Sequence, residues 1–132
     1  MKILLAYDGG EPARRALVTA ADIVKAMGGS VDVISVIPFH PGRMPIDPWD
    51  DRPVHDAELR EAKTRLAELG VPCRVHEPAG DPALEIEKAA RNGDYDMVVL
   101  GSRGLSSLSR FLQGSVSEHV ATHSEKTVVI AR

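Results

Sequence analysis

Met97-Val98-Val99-Leu100, followed without a break by Gly101-Ser102-Arg103-Gly104, is the stretch that decides the fold. Its first half is a continuous apolar run of strand length, rich in β-branched residues. A strand with no polar alternation has both faces covered, which is the condition of a parallel sheet lying between helices. Its second half ends the strand with glycines, which let the chain turn and let the backbone approach another group closely. Ile3-Leu4-Leu5-Ala6 and Val128-Val129-Ile130-Ala131 share the continuous character of the first half. With them, apolar runs at residues 3–7, 31–37, 71–75, 97–100 and 127–131 read as strands.

Helical spacing fills the intervals between these runs. Ala13, Ala16, Leu17, Ala20, Val24 and Met27 recur every three or four residues, and Gly28-Gly29 stops that helix. A second helix is predicted from about His55 to Leu69, with Leu59, Ala62, Leu66 and Leu69 on one side and Gly70 as its stop. A third starts at Asp81-Pro82, a capping side chain followed by proline at the first helical position, and runs to Asn92-Gly93. A fourth is expected to start at Ser115, where Ser115-Val116-Ser117-Glu118 fits a capping box. Strand and helix therefore alternate, and right-handed crossovers make that alternation a doubly wound α/β sandwich in one domain, residues 1–132. Residues 39–53, with Pro41, Pro45, Pro48 and Pro53, interrupt the pattern and read as a surface loop.

Composition narrows the function classes. Lys and Arg number 16 against 19 Asp and Glu, for a net charge of −3, so a binding mode that neutralises many nucleic-acid phosphates is disfavoured. No apolar stretch reaches the ~20 residues of a membrane span, and the N-terminal run meets Asp8 too early for a signal peptide. With a single cysteine, Cys73, no disulfide can form within the chain, and the expected compartment is the cytoplasm.

In open parallel sheets a ligand sits beyond the carboxyl ends of the strands, where the strand order reverses. Two strand ends carry the right chemistry: Tyr7-Asp8-Gly9-Gly10 and Gly101-Ser102-Arg103-Gly104. Farther along, Gly114-Ser115 opens the expected last helix, whose first N–H groups and positive dipole end favour a phosphate, with the Ser115 and Ser117 hydroxyls as further donors. Taken singly, each glycine is explained by a turn and Ser115 by a cap. Together they converge on one phosphate-binding edge, and Arg103 and Arg110 are the only charged residues between Gly101 and Ser117.

The spacing Gly101-x2-Gly104-x9-Gly114-Ser115 matches the G-x2-G-x9-G-[ST] pattern of the universal stress proteins, and the chain resembles that family over essentially its whole length. Ile3-Leu4-Leu5-Ala6-Tyr7-Asp8-Gly9 is similar to the family's first strand and acidic turn, and Gly80-Asp81-Pro82-Ala83 to its third-helix start. The resemblance implies a Rossmann-like five-stranded parallel sheet in the order 3-2-1-4-5, with helices on both faces. It also implies a homodimer paired through the last strand, Thr127–Ala131, and a role in the stress response. ATP is the implied ligand, with Mg²⁺ or Mn²⁺ bound through its phosphates and no metal held by the protein alone. Ala6, Tyr7, Asp8 and Val36 stand at the positions that hold base and ribose. Gly101, Arg103, Gly104, Gly114, Ser115, Val116 and Ser117 stand at those that hold phosphates. A carboxylate at Asp8 suits ribose hydroxyls, whereas beside a triphosphate it would repel. Gly10 departs from the family, which often has serine there, and so does Glu125-Lys126-Thr127, where a proline is common before the last strand.

Other constellations yield less. His119 and His123 are four apart, a spacing at which both can face one metal, but the sequence shows no third ligand. Cys73 reads as a small core residue, Asp47, Asp50 and Asp51 as a solvated loop, and Trp49 and Phe39 as loop packing or an anchor for a partner or ligand. There is no G-x4-G-K-[ST] loop, no serine elbow and no carboxylate pair beside the glycine loop, so no catalytic set can be assembled. The leading expectation is a nucleotide-binding protein in which ATP is a conformational ligand. The alternatives are an interaction module with an empty or different adenine-nucleotide site, and a slow ATPase.

Overall fold

The computed structural model describes residues 1–38, 52–102 and 110–132, with side chains except at 110–115. Its central sheet holds β1 (Lys2–Ala6), β2 (Ser30–Ile34), β4 (Cys73–His76), β6 (Met97–Gly101) and β7 (Thr127–Ala131). These strands are all parallel and lie in the order β4-β2-β1-β6-β7, which is 3-2-1-4-5 when only this sheet is counted. The remaining labels belong to a two-stranded ribbon that the sequence did not signal, β3 (Ile37–Pro38) paired with β5 (Ala79–Gly80). Elements of two residues are too short to show any periodicity. The apolar run expected at 31–37 is therefore split: β2 ends at Ile34 and the chain re-enters a strand at Ile37.

Among the described residues, four helices cover the sheet: α1 (Glu11–Met27), α2 (Arg52–Glu68), α3 (Pro82–Asn92) and α4 (Arg110–His123). The first has the expected limits, ending where Gly28 takes φ +77° and its N–H reaches the Val24 carbonyl. The third is capped as expected, the Asp81 carboxylate accepting from the Leu84 N–H at 3.0 Å. α2 starts at Arg52 rather than near His55, so Pro53 belongs to its first turn and not to the loop. A helix has no use for an N–H there, and proline does no harm. Phe39, Asp47, Trp49, Asp50 and Asp51 lie outside the described residues.

α4 corrects the expected boundary more substantially. It begins at Arg110, so Gly114 and Ser115 lie inside the helix and Ser115 is not its cap. Arg110, Phe111, Leu112 and Gln113 are all compatible with helix, and one internal glycine costs only about 1 kcal/mol relative to alanine. A capping-box pattern marks where a helix is able to start, and here a helix that is already running passes through it.

Successive strand residues serve opposite layers. Ile3 and Leu5 of β1 pack with Ala16, Leu17, Leu59 and Leu66 of α1 and α2. Leu4 packs on the other face with Ile86, Val98 and Val120, toward α3 and α4. Asp32 interrupts the apolar β2 yet is only 2% exposed. The Tyr95 hydroxyl donates to it at 2.8 Å, and Arg74 and His76 of the edge strand lie within 3.7 Å and 3.5 Å. A buried carboxylate partnered in this way is a structural tie between β2, β4 and the start of β6. Among the described residues, no helix is long and apolar enough to cross a membrane.

Candidate functional site

β1 and β6 are neighbours at the centre of the sheet, and the strand order reverses between them. Their carboxyl ends bring Ala6, Tyr7 and Asp8 beside Gly101 and Ser102, the position where an open α/β sheet forms a ligand crevice. The first turn of α1 closes the crevice from below. A Cβ on Gly101 would stand 2.7 Å from both the backbone and the Cβ of Pro12, so glycine is required there by contact. At the tip of the first turn, Gly9 takes φ +78°, and a Cβ on it would meet Glu58 at 3.0 Å.

The residues expected to hold base and ribose divide by direction. Ala6 is partly buried, and Val36, 9% exposed, joins the α3/α4-side core, so both supply apolar surface at the strand ends. Asp8 is exposed, and its Oδ1 accepts from the Gly10 N–H at 2.9 Å, which fixes the turn. The Tyr7 side chain turns the other way, into the α1/α2 layer, where its hydroxyl donates to Glu61 at 3.0 Å. Any contact it makes in the crevice is through its backbone. Burial pushes the Tyr7 phenol up to about 12, reinforced by Glu61. Burial would also raise the Glu61 carboxyl, but the hydrogen bonds from Arg14 and Tyr7 and the charge of Arg14, 2.9 Å away, outweigh it and hold Glu61 below the ordinary range.

On the phosphate side, Val116 packs against the α3/α4-side core, and Ser117, 5% exposed, donates its Oγ to the Ser102 carbonyl at 3.3 Å. That bond ties α4 to the end of β6. Arg103 and Gly104 lie outside the described residues, and Gly114 and Ser115 are placed by their helical backbone alone. Because α4 starts at Arg110, the N–H groups from Gly114 to Ser117 are directed to carbonyls four residues earlier. The free donors of the helix start are therefore one turn upstream of where the sequence located them.

The structure adds neighbours that the sequence did not reveal. Ser35, 1% exposed, brings its Oγ within 2.9 Å of His55 Nδ1 and 3.2 Å of Glu58 Oε2, on the rim over β2 and α2. This is not a nucleophilic triad, because one nitrogen of His55 faces both the hydroxyl and the carboxylate. Nearby, burial and the adjacent Asp56 carboxylate push Glu77 above the ordinary carboxylate range, against the pull of Arg52 at 3.4 Å. The rim over β2 and β4 is thus rich in carboxylates, with Arg52 and His55 among them. No single residue announces this rim, since its members come from three separate segments.

Two other features lie apart from the crevice. An open groove of about 560 Å³ runs along α3, lined by Ile34, His76, Lys88 and Tyr95 among others, and none of the expected site residues line it. Cys73, expected in the core, is half-buried at the sheet edge, and burial raises its thiol pKa.

Comparison with known proteins places this geometry. The model of the Universal stress protein family matches residues 1–132. A universal stress protein of Thermus aquaticus is 32% identical over 137 residues, covering 98% of this chain and 97% of its own. A universal stress protein solved in complex with cAMP superposes with a TM-score of 0.78 at 24% identity, covering 100% of this chain and 97% of that one. One from Archaeoglobus fulgidus solved with dAMP gives 0.79 at 24% identity, with 100% and 98% covered.

Proposed function

The chain belongs to the universal stress protein family, and on that premise we propose that it binds an adenine nucleotide across the carboxyl ends of β1 and β6 as a conformational ligand in the stress response. The observation that carries the reading is the convergence of the Ala6–Asp8 turn, Gly101-Ser102 and the Ser117-anchored α4 at the reversal point of the sheet. The residues fit such a ligand in a graded way. Ala6 and Val36 offer apolar surface to a base, and the exposed Asp8 carboxylate can accept from ribose hydroxyls. The β6–α4 side is left for the phosphates, with Gly101, Arg103, Gly104 and the Gly114–Ser117 segment as their holders. Mg²⁺ or Mn²⁺, carried by a triphosphate, would neutralise part of its charge.

The helical state of Gly114–Ser117 gives the ligand something to change. Those N–H groups reach a phosphate only if the first turn of α4 opens, and Gly114 is the residue at which a helix opens most cheaply. Nucleotide binding then exchanges intrahelical hydrogen bonds for charge-assisted ones, and the altered helix start is the signal. A second reading is favoured by the same observation: with α4 intact, fewer donors face the crevice, which suits a monophosphate better than ATP. The relatives solved with cAMP and dAMP support that possibility.

Titration of the protein with MgATP, AMP and cAMP decides between the two readings. The first expects saturable MgATP binding and a melting temperature that rises with ligand. Gly114→Val, which stiffens α4 and crowds the phosphate, should weaken binding about tenfold or more. AMP binding unaffected by Gly114→Val supports the monophosphate reading, and no thermal shift with any of the three overturns both.

The outer edge of β7 carries no strand among the described residues, and Ile130 is 38% exposed there. Such an edge offers backbone donors and acceptors to a second strand, and we place the homodimer contact on it. Ile130→Lys should shift the molecular mass in solution to that of a monomer. The cytoplasm remains the proposed compartment.

A further inference from the structure

His119 and His123 sit one turn apart on α4, and the packing of α3 against α4 brings Glu87 to them. One ligand atom from each of the three lies within 4.8 Å of the other two. His119 Nε2 and Glu87 Oε2 are 3.3 Å apart. A tetrahedral ion with bonds of about 2.0 to 2.1 Å has ligand–ligand edges of about 3.3 to 3.4 Å, so this pair already stands at the spacing of two ligands of one ion.

His123 is prepared in a different way. Its Nδ1 lies 2.9 Å from the His119 carbonyl oxygen. A carbonyl only accepts, so Nδ1 carries the proton and Nε2 keeps its lone pair. An imidazole held by its other nitrogen on a backbone carbonyl is the usual support of a metal-ligating histidine. The two rings stack with centroids 4.1 Å apart and planes 22° from parallel, so one of them has to turn out of the stack before both nitrogens point at one ion.

Glu87 supplies the independent observation. Its side chain is 11% exposed, and its Oε1 is buried with no hydrogen-bond partner among the described residues. A buried carboxylate oxygen without a donor is costly, and a cation held at Oε2 would offset the charge that Oε1 shares.

We propose that Glu87, His119 and His123 form a site for a divalent transition metal of the zinc class, clamping α3 to α4. Two imidazole nitrogens and one carboxylate oxygen suit Zn²⁺, Co²⁺ or Ni²⁺, whereas Mg²⁺ and Ca²⁺ require oxygen ligands throughout. Three protein ligands leave the fourth position to water, and His123 is exposed on that side. The longest of the three separations has to close by up to about 1.5 Å from the 4.8 Å limit, a movement that a turn of the exposed His123 ring about its Nδ1 bond can supply. The site shares no residue with the strand-end crevice, so it stands or falls independently of the nucleotide reading. Without a metal, the same contacts would amount to a histidine–carboxylate pair beside a stacked ring.

The test is calorimetric titration of the chelator-treated, full-length chain with Zn²⁺, together with the visible spectrum of the Co²⁺ form. One Zn²⁺ per chain and the strong visible absorption of four-coordinate Co²⁺ are expected. His123→Gln removes a ligand at an exposed position without disturbing the core, and Glu87→Gln keeps the buried volume filled. Each should weaken Zn²⁺ binding at least about 100-fold, more than the loss of an outer-shell partner, while His76→Gln leaves it unchanged. Failure of the wild-type chain to bind Zn²⁺ saturably, or undiminished binding in both His123→Gln and Glu87→Gln, overturns the proposal.

Discussion

The strand-end crevice and the Glu87–His119–His123 cluster are both built on α4, yet their ligand atoms are held by different means. In the crevice, the donors are mostly backbone groups in short runs that follow β1 and β6, with α4 reaching in from one side. In the cluster, they are side chains projecting from two packed helices. Backbone donors move only when secondary structure moves, so on the proposed reading a polyphosphate in the crevice would require the start of α4 to open. The proposed cluster needs no more than the turn of one imidazole ring. If both proposals hold, one helix carries a hinge at its N-terminal end and a clamp at its C-terminal end.

The largest expected effect tests whether the two ends are separable. A ligand at 100 times its dissociation constant stabilises the folded state by about 2.7 kcal/mol. Zn²⁺ should raise the melting temperature of wild type and of Gly114→Val equally and leave His123→Gln nearly unmoved, whereas MgATP should raise that of wild type and of His123→Gln equally and that of Gly114→Val less. If one variant abolishes both shifts, the hinge and the clamp are a single device. Next in size, Gly101→Ala drives a methyl group against Pro12 and should cost about 1 to 3 kcal/mol in urea denaturation. An unchanged midpoint would mean that the crevice floor yields. Asp81→Ala removes the cap of α3 and should cost about 1 kcal/mol without altering MgATP affinity. A loss of MgATP binding in that variant would show that the clamp side feeds the crevice.

The smallest effect at neutral pH concerns Tyr7. Its pKa in the folded chain is about 12 against an ordinary 10.0. The folded state therefore holds the proton more tightly, and this stabilisation is complete below pH 10 and lost as pH rises through 12. Tyr7→Phe should show a shallower decline of stability across that window. Equal slopes for the two proteins would mean that the Tyr7 hydroxyl is not buried against Glu61 as described.

Much of this molecule was legible one segment at a time. Short apolar runs, three of them continuous, located four of the five sheet strands to within a residue or two, and Asp81-Pro82 and Gly28 marked helix ends, because each signal is complete within a few neighbouring residues. The start of α4 was misread for the same reason. Ser115-x-x-Glu118 is locally a good cap, but a helix already running from Arg110 has no need of one. Tyr7 stood at a position the family uses for its ligand, yet its ring faces Glu61, since strand alternation directs it into the α1/α2 layer. The Ser35–His55–Glu58 group left no trace in the sequence, as its members meet only when α2 folds over β2.

The sequence by itself determined the class of fold, the order of its elements and the family, because hydrophobic period and glycine spacing are properties of neighbouring residues. It also showed two of the three members of the proposed metal cluster, His119 and His123. Only the tertiary structure decided that Glu87 faces that pair, since α3 and α4 have no relation along the chain and meet through packing. It likewise decided that Gly114 lies within a helix, because that depends on hydrogen bonds to residues upstream and not on the glycine itself.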